Sequence, residues 1–225
     1  MPLRAIVFDF DGVIANSEPL HFRGYRDVLA EEGVTLTEGD YYARYLGFDD
    51  VGAFETIGDH CGAAWTAAQI RDLVARKAVR LEALERDVSV LFPGAADAIR
   101  RAAAAMPIAI ASGARGDEIR RVLSREDLLG LFTAIVAAED TPVSKPAPDP
   151  YLRALTELAN ADPRLLAREC VAIEDSRWGL ESARAAGLRT VAVTNTYRAD
   201  QLVADLTIHS LDAMDLDLLS RLCSD

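Results

Sequence analysis

Residues 5–13 read Ala-Ile-Val-Phe-Asp-Phe-Asp-Gly-Val. Four apolar residues, Ala5–Phe8, run without polar alternation, the pattern of a strand buried on both faces inside a parallel sheet. Asp9 and Asp11 follow at once, and Gly12 permits a tight exit from the strand. In parallel sheets ligands bind in the crevice outside the carboxyl ends of the strands, which is where both aspartates are expected. Taken alone, an Asp-x-Asp pair is equally compatible with solvated strand ends or a calcium loop.

Outward from this stretch, strand-length apolar runs recur at 108–111, 134–137, 171–173 and 190–193. Helical stretches lie between the later runs. Residues 117–123 place Ile119, Val122 and Leu123 on one face, residues 149–159 follow two prolines, and residues 177–186 end at Gly187. Strand–helix alternation of this kind predicts an α/β fold of right-handed βαβ units in a doubly wound parallel sheet.

The pattern changes between the first strand and Pro93-Gly94. Leu20, Val28 and Leu29 suit a helix closing at Gly33, residues 37–45 one closing near Gly47, and residues 50–60 one closing at Gly62. Thr66-Ala67-Ala68-Gln69 is a capping box opening a helix that carries Ile70, Leu73, Val74, Lys77, Leu81 and Leu84. A helical insert over 15–88, interrupting a core of 1–14 and 89–225, is predicted to form a cap domain over the site. Residues 101–105 are locally Ala-rich.

The other strand ends carry complementary chemistry. The 108–111 run leads into Ser112-Gly113, a hydroxyl and backbone N–H groups suited to an anion near a helix N-terminus. The 171–173 run leads into Glu174-Asp175. Ser144-Lys145-Pro146 precedes the helix at 149, and Lys145 is the only lysine after Lys77. Asp9, Asp11, Glu174 and Asp175 would crowd four negative charges into one cleft. Two like charges ~4 Å apart repel by about 1 kcal/mol in water and about 4 kcal/mol at an effective dielectric of 20. One Lys145 cannot offset several such pairs, so a divalent cation is expected, and all-oxygen ligands favour Mg²⁺. With a metal to bridge a substrate phosphate, Asp9 is the candidate nucleophile toward phosphorus and Asp11 the candidate general acid and base. Ser112, Gly113 and Lys145 are the candidate phosphate-binding groups.

Composition narrows the partners. The 225-residue chain is 50% hydrophobic, and 36 acidic against 24 basic residues give a net charge of -12. No long basic run is present, which argues against nucleic acid and a charged membrane surface as partners. A small phosphorylated metabolite is the expected one. Cys61, Cys170 and Cys223 are widely spaced, read as reduced thiols, and have no histidine cluster beside them for zinc. The N-terminus turns acidic at Asp9, too soon for a signal peptide, and no apolar run approaches the ~20 residues of a membrane span. A cytoplasmic protein is expected.

Asp9-Phe10-Asp11-Gly12-Val13, Ser112, Lys145-Pro146 and Glu174-Asp175-Ser176 together resemble, in order, the four motifs of the haloacid dehalogenase superfamily. Residues 14–22 (IANSEPLHF), 144–148 (SKPAP) and 173–187 (IEDSRWGLESARAAG) look like the subgroup containing β-phosphoglucomutase and related sugar-phosphate phosphatases. The resemblance implies a Rossmann-like core with a helical cap inserted after the first motif. It implies that Asp9 is the nucleophile and Asp11 the acid/base. It also implies that Asp9, the Asp11 main-chain carbonyl and Asp175 are Mg²⁺ ligands supported by Glu174. His21 sits where the subgroup often has a histidine, and Lys77 resembles a cap position there. The bland readings are an ordinary polar helix residue and a solvated charge. Tyr41, Tyr42 and Tyr45 read as cap core in preference to pocket lining, and Trp178 as packing.

Three functions follow: a phosphomonoesterase, a β-phosphoglucomutase-like phosphomutase, and a catalytically inactive phosphate-binding module. Every chemical position is filled, which disfavours the third. Dehalogenation is disfavoured too, since it needs neither Asp11 nor a metal. The mutase subgroup holds a second phosphate with a cap-loop arginine. Residues 46–51 here contain Asp49 and Asp50 and no arginine, so a bisphosphate is expected to meet repulsion there unless Arg44 reaches in.

Overall fold

The computed structural model describes residues 3–46, 48–86 and 89–224. Strand β1 (Ala5–Phe8) is followed by helices α1 (Glu18–Glu31), α2 (Glu38–Asp40), α3 (Asp50–Cys61) and α4 (Ala67–Glu85). The chain continues through α5 (Ala95–Ala105), β2 (Ile108–Ala111), α6 (Gly116–Arg125) and β3 (Ala134–Val136). It ends with α7 (Asp149–Ala161), β4 (Cys170–Glu174), α8 (Arg177–Ala185), β5 (Arg189–Val193), β6 (Leu206–Ile208) and α9 (Leu216–Leu222).

The continuous apolar runs pair as one parallel sheet in the order β3-β2-β1-β4-β5-β6. Both faces are covered, so β1, β2 and β4 are buried at every residue. On one face Ala5, Val7, Ala109, Ala111 and Ala172 pack against Tyr151, Ala154 and Leu158 of α7 and Ala183 of α8. The small strand residues let α7 approach closely. Strand alternation turns the larger Ile6, Phe8, Ile108, Ile110, Val171 and Ile173 to the other face, where they are also buried.

Two differences from the sequence reading have physical causes. The expected five strands are six, because β6 is a three-residue edge strand whose Thr207 is exposed and whose apolar signal is correspondingly short. The Ala-rich stretch is the C-terminal part of α5, which buries Ala95, Ala98, Ile99 and Ala102. Alanine carries too little hydrophobic contrast to mark that face plainly.

Met1–Asn16 with Val90–Asp225 form one compact unit and Ser17–Ser89 the other. The predicted insert begins two residues earlier, but Ala15 bridges to Asp11 and Leu91 and belongs with the sheet. Its predicted end, Val88, lies outside the described residues. Within the helical unit Tyr25, Val28, Leu29, Tyr41, Tyr45, Phe54, Ile57 and Leu73 share one core. The predicted helix over 37–45 is a short α2 followed by a π-helical turn, Tyr41–Tyr45. Gly47, its expected end, lies outside the described residues. Tyr41 and Tyr45 are buried, with hydroxyls 2.6 Å from Glu18 Oε2 and 2.9 Å from His60 Nδ1, while Tyr42 is exposed. The Thr66–Gln69 capping box forms in both directions, and α3 ends at Gly62 with φ of 73°.

Lys77 is not the solvated charge its helical position suggests; it is 1% exposed. Its ammonium lies 2.6 Å from Asp50 Oδ1, 2.9 Å from His21 Nδ1 and 4.7 Å from the centre of the Tyr25 ring. An ammonium only donates, so His21 Nδ1 accepts. The Tyr25 hydroxyl donates to the same Asp50 oxygen at 2.6 Å. Burial pushes the Asp50 carboxyl up, but Lys77 and Tyr25 more than reverse this and hold it below the usual carboxylate value. Asp49 caps α3, its Oδ1 accepting from the Gly52 N–H at 2.7 Å. Both aspartates are thus engaged within their own unit: Asp50 is paired with Lys77, while Asp49 remains exposed at the start of α3. Among the described residues, no helix is long and apolar enough to cross a membrane.

Candidate active site

The direction of sheet winding reverses between β1 and β4, the place where doubly wound sheets open a crevice. Their register pairs Phe8 with Ile173, and the Asp9 N–H donates to the Ile173 carbonyl at 2.9 Å. Asp9 and Glu174 therefore emerge side by side, with Asp175 in the turn that follows. Ligand oxygens of Asp9, Glu174 and Asp175 all lie within 4.8 Å of one another, and all three residues are buried.

The sequence predicted four carboxylates together; the structure brings together three, and the Asp11 side chain stands outside the trio. The cause is local. The strand ends at Phe8, and the chain then turns back, with Gly12 donating to Ala15 and Ile14 to Phe10. The two-residue alternation that would align Asp11 with Asp9 is lost in that turn. Gly12 adopts φ of 76° and leaves no room for a β-carbon, which would fall on Oδ2 of Asp175. Asn195 anchors the turn by donating to the Gly12 carbonyl at 2.8 Å.

Lys145 arrives from the loop before α7, after which a cis peptide leads into Pro146. Its ammonium sits 2.8 Å from Asp9 Oδ1 and 2.7 Å from Glu174 Oε1, with the side chain 13% exposed. Ser182 on α8 fixes this loop by donating to the Ala147 carbonyl. Burial, then Glu174, push the Asp9 carboxyl up, Lys145 pulls it back, and the result is a pKa of about 6. Burial would lower the Lys145 ammonium, but Asp9 and Glu174 raise it above its ordinary value, so it stays charged. The Asp175 carboxyl is pushed well up by burial, then by Glu174 and Asp9, with Thr196 donating to it in partial compensation.

Glu174 is fully buried and its carboxylate is fully engaged. Oε1 accepts from Lys145 and from the Tyr151 hydroxyl at 2.8 Å. Oε2 accepts from the N–H groups of Asp175 (3.2 Å) and Ser176 (3.4 Å) and from Ser176 Oγ (3.2 Å). A carboxylate has about four lone-pair sites for these five donors. Glu174 is accordingly an anchor, and Asp9 and Asp175 are the carboxylates with capacity for a cation. Asp9 and Asp175, buried side by side with raised pKa values, offer oxygen ligands of the kind that suit a hard divalent cation such as Mg²⁺.

Ser112 is buried at the end of β2, and its Oγ accepts from the Ala114 N–H at 3.0 Å, which leaves its O–H to donate. Gly113 is exposed beside it. The α6 N-terminus contributes less than expected, because the Gly116 N–H is taken by the Glu139 carboxylate at 3.1 Å. His21 and Lys77 belong to the helical unit and form the cluster described above. Trp178, read as packing, is 44% exposed, and the Arg177 guanidinium lies 5.5 Å from the centre of its ring and 5.8 Å from that of Tyr197. The residue pattern did not single out Tyr151, Asn195 or Thr196, and Ser176 entered only as the last residue of the fourth motif, without a role. Tyr151 lies close after the Lys145 motif, whereas Asn195 and Thr196 carry no local signal beyond following β5.

Known proteins share this fold. A family model of haloacid dehalogenase-like hydrolases matches residues 6–193. The chain is 36% identical to Protein CbbY of Rhodobacter capsulatus over 95% of its own length and 96% of that protein's. It is 30% identical to hexitol phosphatase B of Escherichia coli K12, covering 84% of this chain and 82% of that one. CbbY from Rhodobacter sphaeroides has been solved with phosphate and, as a mutant, with xylulose-(1,5)bisphosphate. Those structures superpose with TM-scores of 0.82 and 0.81 at 27% and 26% identity, over 95% of this chain and 96% of theirs. With its motifs at the carboxyl ends of a doubly wound sheet, the chain belongs to the haloacid dehalogenase-like hydrolases.

Proposed function

We propose that this hydrolase is a Mg²⁺-dependent phosphatase that cleaves small phosphate monoesters, sugar phosphates among them, through an aspartyl-phosphate on Asp9. The observation that carries the reading is the placement of Asp9 at the end of β1, where Lys145 holds Oδ1 at 2.8 Å. The other oxygen is left to attack phosphorus. In the first step an Asp9 oxygen bonds to phosphorus, the ester P–O bond breaks, and Asp11 protonates the departing alkoxide. In the second, Asp11 takes a proton from water, which attacks the aspartyl-phosphate and releases inorganic phosphate with Asp9 restored. An ammonium has three donors; with two on Asp9 and Glu174, the third N–H of Lys145 serves a phosphoryl oxygen, as do the Ser112 hydroxyl and the Gly113 N–H. Asp9, the Asp11 main-chain carbonyl and Asp175 would hold Mg²⁺, which when bound neutralises charge on the phosphoryl oxygens. We place the helical unit, Ser17–Ser89, as the cap that selects the substrate.

The test is phosphate release from a panel of sugar and polyol phosphates and xylulose 1,5-bisphosphate, with Mg²⁺ and with a chelator. Release from at least one ester that stops on chelation and returns with Mg²⁺ is expected. Hydrolysis of nothing on the panel, or undiminished activity with chelator, refutes the proposal. If β-glucose 1-phosphate yields glucose 6-phosphate many times faster than free phosphate, the enzyme is a mutase.

A further inference from the structure

The Tyr151 hydroxyl has no place in the chemistry above, yet it is buried beside it. Tyr151 lies in the first turn of α7, is 0% exposed, and donates to Glu174 Oε1 at 2.8 Å. Lys145 donates to that same oxygen at 2.7 Å, and its ammonium also lies 5.2 Å from the centre of the Tyr151 ring. Tyr151 therefore meets Lys145 twice, through its ring face and through a shared acceptor. The opposite oxygen of Glu174 is tied to the turn into α8 by Asp175 and Ser176. With one end fixed, the hydroxyl decides how strongly Oε1 draws on the lysine.

We propose that Tyr151 is a positioning residue: by sharing Oε1 of Glu174, its hydroxyl keeps the Lys145 ammonium centred between Glu174 and Asp9, where it serves the phosphoryl group. Two donors divide the charge of one carboxylate oxygen. Without the hydroxyl, a buried oxygen that water cannot reach directs its charge at Lys145 alone, and attraction in so dry a place is strong. The ammonium then shifts toward Glu174, away from Asp9 and from the phosphate it should hold. This assignment rests on the phosphatase reading for the role of Lys145, but its geometry does not.

Tyr151→Phe tests it, since the ring and its contact with Lys145 remain. Binding of inorganic phosphate in the presence of Mg²⁺, measured by calorimetry, should weaken about fivefold, and kcat on the best ester should fall about tenfold. Tyr45→Phe, which removes a buried hydroxyl in the helical unit, is the control for thermal stability and should leave both constants within twofold. In a Glu174→Gln background, where the oxygen carries no full charge, Tyr151→Phe should change phosphate binding less than twofold. Unchanged phosphate affinity in the single variant overturns the assignment. So does failure of Tyr151→Phe to fold, which would show that the hydroxyl holds the core and not the lysine. Phosphate binding needs no turnover, so a wild-type protein that hydrolyses nothing on the panel would refute the phosphatase reading while leaving this test intact.

Discussion

Gly179 lies in the first turn of α8, directly against the Glu174 carboxylate. A β-carbon placed there would lie 1.9 Å from Cδ and Oε1 and 2.1 Å from Oε2 of Glu174. Carbon–oxygen contacts below about 3 Å do not persist, so Gly179→Ala must drive the carboxylate or the helix apart by roughly 1 Å, against interior packing of crystal-like density. The displacement stretches the bonds from Lys145 and Tyr151, now 2.7 and 2.8 Å, beyond useful length. Hydrogen bonds to a charged group contribute about 1.5–3 kcal/mol each, so losing two costs about 3–6 kcal/mol. Alanine is favoured over glycine inside a helix by about 1 kcal/mol, an opposing effect that is clearly smaller. A net loss of about 3 kcal/mol corresponds to a fall in Tm of about 6–12 °C for a chain of this size. Gly39, in α2, has open space where its β-carbon would go, so Gly39→Ala is the matched control and should hold or raise the melting temperature. Differential scanning calorimetry of both variants decides the matter. A Gly179→Ala protein as stable as wild type would refute the claim that Glu174 is locked in place.

Asp9→Asn should fold and lose turnover, because an amide does not attack phosphorus; activity above about a hundredth of wild type would overturn the nucleophile assignment. Its melting temperature at neutral pH should not fall, since the Asp9 carboxylate is held against burial and the charge of Glu174. Asp50→Asn strips the buried Lys77 of its carboxylate, a change that costs about 3–5 kcal/mol for a fully buried pair; the 25% exposure of Asp50 brings the expectation to about 2–3 kcal/mol. Because the folded pKa of Asp50 is depressed, this stabilisation is complete above the unfolded value near 4 and disappears as pH falls through the folded one. Urea unfolding should show a gap between wild type and variant at pH 7 that narrows by pH 3, and a gap independent of pH would contradict the pairing.

The fold class, and the strand ends that carry the candidate site residues, were legible in the residue pattern. Unbroken apolar runs ending in Asp9, Ser112 and Glu174-Asp175 suit strands buried on both faces, and parallel pairing brings their carboxyl ends to one edge. Lys145, the only lysine after Lys77, was recognisable by its rarity and its place just before the helix at 149. Direction and neighbourhood were settled only by packing in three dimensions. Asp11 leaves the carboxylate trio because the chain turns after Phe8, and no residue type announces which way a side chain leaves a turn. Lys77 is buried because Asp50, His21 and Tyr25, 27 to 56 positions away, converge on it; a lysine at helical spacing looks the same whether solvated or paired. Tyr151 illustrates the limit most clearly. Its apolar ring suits the α7 face that packs on the sheet, and only the approach of β4 supplies the carboxylate that gives its hydroxyl a purpose.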